Sequence, residues 1–230
     1  MPLQVVMLPG LDGTGLLSAH FVDAMHSRGL SIDVLPLPAQ GPQDYATMAS
    51  ALRLKLPDSG FVLLAESFAG PLAIELAATS PTGLRGLILS TTFARRPVPL
   101  PAASARMLAP AWPLPPIGLM ARLLLGRWRT RANLRELRQA IATVPASTLR
   151  KRAAATLQVD VRARLPQLVL PTLCLHARQD RLLWPPSVAE LQALLPDARH
   201  VSLQGPHLLL QVRADAAAVE ISAWMRTLRL

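Results

Sequence analysis

Short apolar runs alternate with helix-like stretches along most of this 230-residue chain, and this alternation constrains its fold more than any other feature. The predicted strands are 3–8, 30–37, 61–65, 84–90, 168–176 and 199–203. The helices predicted between and after these strands are 16–28, 44–56, 68–78, 187–195 and 208–228. Strands separated by helices are typical of a parallel sheet whose crossover helices cover both faces. We therefore predict an α/β fold with about six mostly parallel strands.

The alternation is interrupted at residues 93–165, which contain no strand pattern. Prolines cluster at the start of this segment, and helix-like stretches follow near 117–128, 132–144 and 147–159. We predict a helical insertion, or lid, rather than a separate domain, so that residues 1–92 and 166–230 form the core. The insertion carries 14 basic and two acidic side chains, a net charge of +12, while the whole chain has a net charge of +10. The basic excess therefore belongs to the insertion alone.

Several classes of protein are disfavoured by composition. No run of about 18 apolar residues occurs, so no transmembrane segment is expected. A secretory signal is also not evident, so we expect a cytoplasmic protein. Cys174 is the only cysteine, and we expect neither an internal disulfide nor a cysteine-based metal site. His20, His26, His176 and His200 are each interpreted as structural, and no metal or cofactor is expected.

Ser67 lies where a predicted strand meets a predicted helix, in the sequence Ala65-Glu66-Ser67-Phe68-Ala69-Gly70. A nucleophile on such a sharp turn needs small neighbours, and the usual pattern is Gly-x-Ser-x-Gly. Alanine takes the place of both glycines here and is the next smallest side chain. Taken alone, the motif fits equally well a serine that caps a helix.

A glycine-rich loop follows the first strand, with the sequence Leu8-Pro9-Gly10-Leu11-Asp12-Gly13-Thr14-Gly15. Such a loop can turn backbone amides towards a developing oxyanion, and the amides of Leu11 and Phe68 are the predicted donors. A phosphate-binding loop is the rival interpretation. It is rejected because both the Gly-x-Gly-x-x-Gly spacing and a Gly-Lys-Ser/Thr motif are missing.

Two further polar residues directly follow strands. Asp180 follows the strand at 168–176, and His207 follows the strand at 199–203 in the sequence Gln204-Gly205-Pro206-His207. The carboxyl ends of parallel strands are where enzymes with such sheets place catalytic groups. Ser67 is thus the predicted nucleophile, His207 the base and Asp180 the residue that orients the base. Asp12 is interpreted as a residue that shapes the glycine-rich loop.

The order of these elements, oxyanion loop, serine, aspartate and histidine, resembles the α/β-hydrolase superfamily over nearly the whole chain. The chain departs from that family by lacking its usual first two strands. The resemblance implies hydrolysis of carboxylic esters through an acyl-enzyme. Two alternatives stay open, an acyl thioesterase or acyltransferase on the same triad and a non-catalytic ligand-binding member of the fold.

The Arg-rich insertion above such a site resembles that of the pimeloyl-acyl-carrier-protein methyl ester esterases of biotin synthesis, and of small bacterial carboxylesterases more generally. This resemblance implies an acidic acyl carrier protein as a partner, which a basic surface would attract. The charge alone fits an anionic membrane surface as well. Nucleic acid is not expected, because aromatic residues make up 4% of the chain and no recognition motif is present. Trp112, Leu119, Leu123 and Trp184 are the predicted substrate-binding residues.

Overall fold

A six-stranded sheet forms the centre of the protein in a computed structural model that describes residues 3–106 and 114–228. All strand pairs are parallel, and the strands are ordered β2-β1-β3-β4-β5-β6. The strands are β1 (Gln4–Leu8), β2 (Ile32–Val34), β3 (Phe61–Glu66), β4 (Leu84–Ser90), β5 (Thr172–Ala177) and β6 (Arg199–Leu203). The predicted α/β architecture with six strands is confirmed.

The helices between the strands cover both faces of the sheet. The α-helices are α1 (Ala19–His26), α2 (Tyr45–Arg53), α3 (Gly70–Ala78), α4 (Ile117–Leu124), α5 (Arg131–Thr143), α6 (Ala146–Gln158), α7 (Pro185–Leu194), α8 (Leu209–Val212) and α9 (Ala214–Met225). Single 3-10 turns precede α1, α3 and α5, at Leu16–Ser18, Ser67–Ala69 and Gly126–Trp128. Helix α2 begins as predicted, because the Asp44 carboxylate caps it by accepting the Thr47 amide hydrogen at 2.8 Å.

Three elements differ from the prediction because of local backbone chemistry. Strand β2 covers three residues instead of eight, since Pro36 has no amide hydrogen with which to continue the ladder. Strand β5 likewise begins after Pro171 rather than at residue 168. The C-terminal helix is divided into α8 and α9 at Arg213, which has a non-helical φ of −125° and ψ of 38°.

The side chains of the sheet form two apolar cores, one on each face. Val6 and Leu8 pack on the face that α2 and α3 cover, and Val5 and Met7 pack on the face that α1 and α9 cover. Strand β3 is buried along its whole length. Burial on both faces explains the nearly continuous apolar strands of the sequence.

The strand order reverses between β1 and β3. From β1 the chain crosses to β2 on one side, then returns to β3 and continues to β6 on the other side. Ligands of open α/β sheets bind at such a switch point, beyond the carboxyl ends of the strands. The glycine-rich loop after β1 and Ser67 after β3 lie on either side of this point.

Residues 93–165 leave and rejoin the core at one place. Arg95 and Asp160 form an isolated antiparallel bridge, and the amide of Val161 donates to the carbonyl of Ala94 at 2.8 Å. The described part of the segment adds helices but no strand to the sheet. Among the helices of residues 3–106 and 114–228, none has both the length and the apolar character needed to cross a membrane.

Candidate active site

Three side chains from distant parts of the chain meet beyond the carboxyl ends of β3, β5 and β6. Ser67 Oγ lies 2.7 Å from His207 Nε2, and His207 Nδ1 lies 2.7 Å from Asp180 Oδ2. His207 is 1% exposed and Ser67 is 9% exposed. The structure thus brings the three predicted residues into one hydrogen-bonded chain, with Nε2 of the imidazole at the serine and Nδ1 at the aspartate, the pairing that Ser-His-Asp catalysis requires.

Ser67 is held in a strained backbone conformation. Its φ is 51°, a value that few residues other than glycine adopt, and its neighbours Ala65 and Ala69 are fully buried. A strained strand-to-helix turn of this kind exposes the serine oxygen to the site.

The Gly-x-Ser-x-Gly pattern would place its second glycine at position 69, but this structure requires glycine at position 70. A Cβ atom at Gly70 would lie 1.9 Å from Thr92 Oγ1, whereas alanine fits at position 69. The Thr92 hydroxyl also donates a hydrogen bond to the carbonyl oxygen of Ser67. Thr92 therefore supports the turn from the end of β4, a role that no sequence motif indicated.

Asp180 is fixed by both of its carboxylate oxygens. Oδ1 accepts the amide hydrogens of Leu182 and Leu183 at 2.8 and 2.9 Å, which leaves Oδ2 for His207. Burial opposes ionisation of Asp180, but the charge of His207 and these hydrogen bonds together hold its pKa below the ordinary value. The carboxylate is therefore ionised at neutral pH and can hold the imidazole with its proton on Nδ1.

The glycine-rich loop forms a tight turn beside Ser67. The amide of Gly13 donates to the carbonyl of Gly10 at 2.9 Å, which places Leu11 at the tip of the turn. Asp12 accepts hydrogen bonds from both the amide and the hydroxyl of Thr14, so its predicted role in shaping the loop is confirmed. The other predicted donor, the amide of Phe68, directly follows Ser67.

Arg152 joins the insertion to this loop and was not singled out from the sequence. It lies on α6 and is 0% exposed. Its Nη1 donates to the carbonyls of Leu11 and Asp12, both at 2.8 Å. Nη2 donates to Pro38 O at 2.9 Å, and Nε donates to Gln43 Oε1 at 2.8 Å. Burial lowers the pKa of this guanidinium and the charge of Asp12 opposes that shift, but the group keeps its proton and donates four hydrogen bonds.

Glu66 is a second buried charged residue beside the triad. It is 3% exposed, and its Oε2 accepts a hydrogen bond from Gln211 at 3.0 Å. Among the described residues, none hydrogen-bonds Oε1. Burial raises the pKa of Glu66 to about 7, despite the opposing effects of Gln211 and His207.

Three of the four predicted substrate-binding residues lie within the described part of the chain, and their role stays a prediction. Trp184 is 43% exposed and lines a surface cavity of about 340 Å³ with Arg95, Arg96 and the segment 98–101, a lining that includes no triad residue. Leu119 is 48% exposed, and Leu123 is partly buried on α4. Trp112 lies outside the described residues. Leu124 of the insertion contacts the residue that follows His207, because its carbonyl accepts the amide hydrogen of Leu208 at 3.0 Å.

Comparison with known families gives one match. A family model described as serine aminopeptidase, S33, matches residues 39–207, a span that includes Ser67, Asp180 and His207. A comparison with curated proteins found no match.

Several solved structures share the fold over almost their full length. The esterase from Thermogutta terrifontis has a TM-score of 0.81 at 21% identity, and the match covers 98% of this chain and 90% of that chain. The enol-lactonase from Burkholderia xenovorans LB400 has a TM-score of 0.79 at 19% identity, with 98% and 92% covered. The bromoperoxidase from Bacillus anthracis has a TM-score of 0.82 at 15% identity, with 98% and 92% covered. Their differing activities show that the fold alone does not specify the substrate.

Proposed function

This chain belongs to the serine aminopeptidase S33 family of hydrolases, and on that premise we propose that it is a serine esterase acting through an acyl-enzyme intermediate. The observation that carries the proposal is the 2.7 Å contact between Ser67 Oγ and His207 Nε2, made at a strained turn. An imidazole at this distance can accept the serine proton directly.

The proposed reaction has two halves, acylation of Ser67 and hydrolysis of the acyl-enzyme. His207 Nε2 takes the proton of Ser67 as Oγ attacks the ester carbonyl, and the amides of Leu11 and Phe68 stabilise the oxyanion. His207 then gives the proton to the departing alcohol, and the C–O bond to that alcohol breaks. Water, deprotonated by the same nitrogen, then attacks the acyl carbon. The bond from that carbon to Ser67 Oγ breaks, His207 returns the proton to Oγ, and the carboxylic acid leaves. Asp180 stabilises the imidazolium that forms in each half of the reaction.

A fluorophosphonate probe tests the nucleophile. We expect the probe to label the wild-type protein and to fail with Ser67→Ala, because the probe reacts with an activated serine oxygen. Ser50→Ala is the control, since Ser50 lies exposed on α2 and its loss should leave labelling unchanged. Equal labelling of wild type and Ser67→Ala, read by intact-protein mass, would exclude Ser67.

We further propose that the insertion, residues 93–165, covers the acyl site as a lid and docks an acidic acyl carrier protein. The proposal is supported by the distribution of its basic side chains. Arg95, Arg162 and Arg164 pair with carboxylates, and Arg152 is buried. Solvent-exposed basic side chains from α4 to α6 are Arg122, Arg127, Arg129, Arg131, Arg135, Arg138 and Lys151. A surface of this kind speeds encounters with an acidic partner.

Salt dependence tests the carrier. We expect turnover of an ester bound to acyl carrier protein to fall steeply as salt rises, while turnover of a small aryl ester hardly changes. Replacing Arg131, Arg135 and Arg138 together by Glu should weaken the carrier reaction selectively. Arg53→Glu, an exposed charge reversal on α2 of the core, is the control. If the two substrates showed parallel salt profiles, the carrier proposal would be lost.

A further inference from the structure

Three metal-ligating side chains meet on one face of the sheet, beneath the loops that carry Asp180 and His207. Cys174 and His176 are two residues apart on β5, so their side chains point to the same face. The strand register pairs Cys174 with His200 on β6. Cys174 Sγ and one nitrogen from each imidazole all lie within 4.8 Å of one another.

His176 Nε2 and His200 Nδ1 face each other, so both imidazoles can bind one metal ion between them. His200 Nε2 lies 3.0 Å from the carbonyl oxygen of Leu195, and because a carbonyl only accepts, this nitrogen carries the proton. His200 Nδ1 therefore has a free lone pair, and it faces His176 Nε2 at 3.0 Å. Histidine ligands of metals usually donate their other ring N–H to a carbonyl or carboxylate in this manner, which fixes ring and tautomer.

The separation of the two imidazole nitrogens is close to that found around a tetrahedral ion. Zinc–nitrogen bonds of about 2.0–2.1 Å set two imidazole nitrogens roughly 3.3 Å apart, so the pair needs to open by only a few tenths of an ångström. Cys174 is 0% exposed and His176 is 7% exposed. His200 is only partly buried, which leaves a side from which an ion and a water ligand can enter.

We propose that Cys174, His176 and His200 form a binding site for one divalent cation of the zinc class. One thiolate and two imidazoles are soft and borderline ligands, which select zinc over magnesium or calcium. Binding involves no redox change. The Cys174 thiol releases its proton to solvent as the metal–sulfur bond forms, and the proton on His176 Nε2 moves to Nδ1 so that Nε2 can ligate.

A bound ion would join the edge strand β6 to β5.

Cobalt titration tests the site. Protein freed of metal by a chelator and titrated with Co²⁺ is expected to bind one equivalent, with a thiolate-to-cobalt charge-transfer band and the intense visible bands of a tetrahedral centre. Zn²⁺ should displace Co²⁺ and raise the melting temperature of the wild-type protein. Cys174→Ser should abolish the charge-transfer band.

A second variant is needed, because a substitution at the fully buried Cys174 can destabilise the protein by itself. His200→Asn alters a partly exposed side chain and is expected to weaken Co²⁺ binding at least tenfold and to remove the zinc-dependent rise in melting temperature. His26→Asn is the matched control, since His26 is exposed on α1, and it should behave as wild type. Wild-type protein without a charge-transfer band, or His200→Asn with unchanged Co²⁺ affinity, would overturn the proposal.

Discussion

Glu66 adjoins the proposed nucleophile but takes no part in the proposed proton transfer. Its carboxyl is buried and has one hydrogen-bond partner, Gln211, among the described residues. Burial raises its pKa to about 7, so its charge changes in the range where esterases are usually assayed. A carboxylate formed here would also stabilise the imidazolium of His207.

Replacing Glu66 by Gln should flatten the dependence of stability on pH. The unfolded carboxyl ionises near 4.5 and the folded one near 7, so between these values the folded state holds a proton that the unfolded state has lost. The free energy of unfolding of the wild type should therefore fall as pH rises through this window, by about 3 kcal/mol in total. Urea unfolding at several pH values measures the slope, with the surface variant Glu136→Gln as control. An unchanged slope in Glu66→Gln would show that this carboxyl ionises normally.

At the scale of elements, Arg152 links helix α6 to the loop after β1. Its buried guanidinium donates hydrogen bonds to the carbonyls of Leu11, Asp12 and Pro38. Gly13 leaves the room for it, because a Cβ atom there would lie 2.4 Å from Arg152 Nη1. The helix thus holds the turn that presents the proposed oxyanion amide of Leu11.

Arg152→Met should lower kcat by about tenfold or more and change KM little, because a misplaced amide weakens the transition state more than the ground state. Stability should fall by about 3 kcal/mol, since buried carbonyls lose their partners. Partial recovery of kcat on adding low concentrations of guanidinium ion would separate positioning of the loop from a general loss of structure. Lys151→Met, an exposed neighbour on α6, is the control. A variant that unfolds less easily or keeps full kcat would contradict this role.

The strands and the positions of Ser67, Asp180 and His207 were predictable because each is a local feature. Apolar alternation marks the strands, and each polar residue lies within four residues of the end of one of them. Arg152 was not predictable, since it is one of 24 basic residues and only the fold shows that it is buried. The need for glycine at position 70 rather than 69 depends on Thr92, which lies just after β4 and far from position 70 in the sequence. The cluster of Cys174, His176 and His200 was missed because each residue was judged alone, whereas the register of β5 and β6 brings them together.

For the whole molecule, the insertion and the sheet share an apolar core. Phe93, Val159 and Val161 belong to the same buried cluster as the side chains of β1 and β3. Arg95 of the insertion also pairs with Glu190 on α7 at 3.1 Å. A second buried cluster, of Ala121, Leu125 and Leu137, also includes Leu208 of the core. The described part of the insertion therefore shares its apolar contacts with the sheet domain and is not expected to unfold alone.

We accordingly expect one cooperative unfolding transition. Trp128 in the insertion and Trp224 on α9 provide separate fluorescent reporters once the other tryptophans are replaced by Phe. Their denaturation midpoints should coincide, and both should agree with the midpoint from circular dichroism. An earlier transition at Trp128 would mean that the insertion opens before the sheet.

The insertion leaves and rejoins the core at the bridge between Arg95 and Asp160, which has a practical consequence for engineering. A designer could cut the chain there and graft the corresponding segment of another hydrolase, because the two ends already lie side by side. The exchange would leave the sheet and the serine in place, but it would discard the guanidinium that steadies the turn at Gly10–Gly13. A successful graft would have to supply a buried arginine that hydrogen-bonds the same carbonyls, or stabilise that turn by other means. New substrate range and retained turnover therefore have to be designed together in this protein.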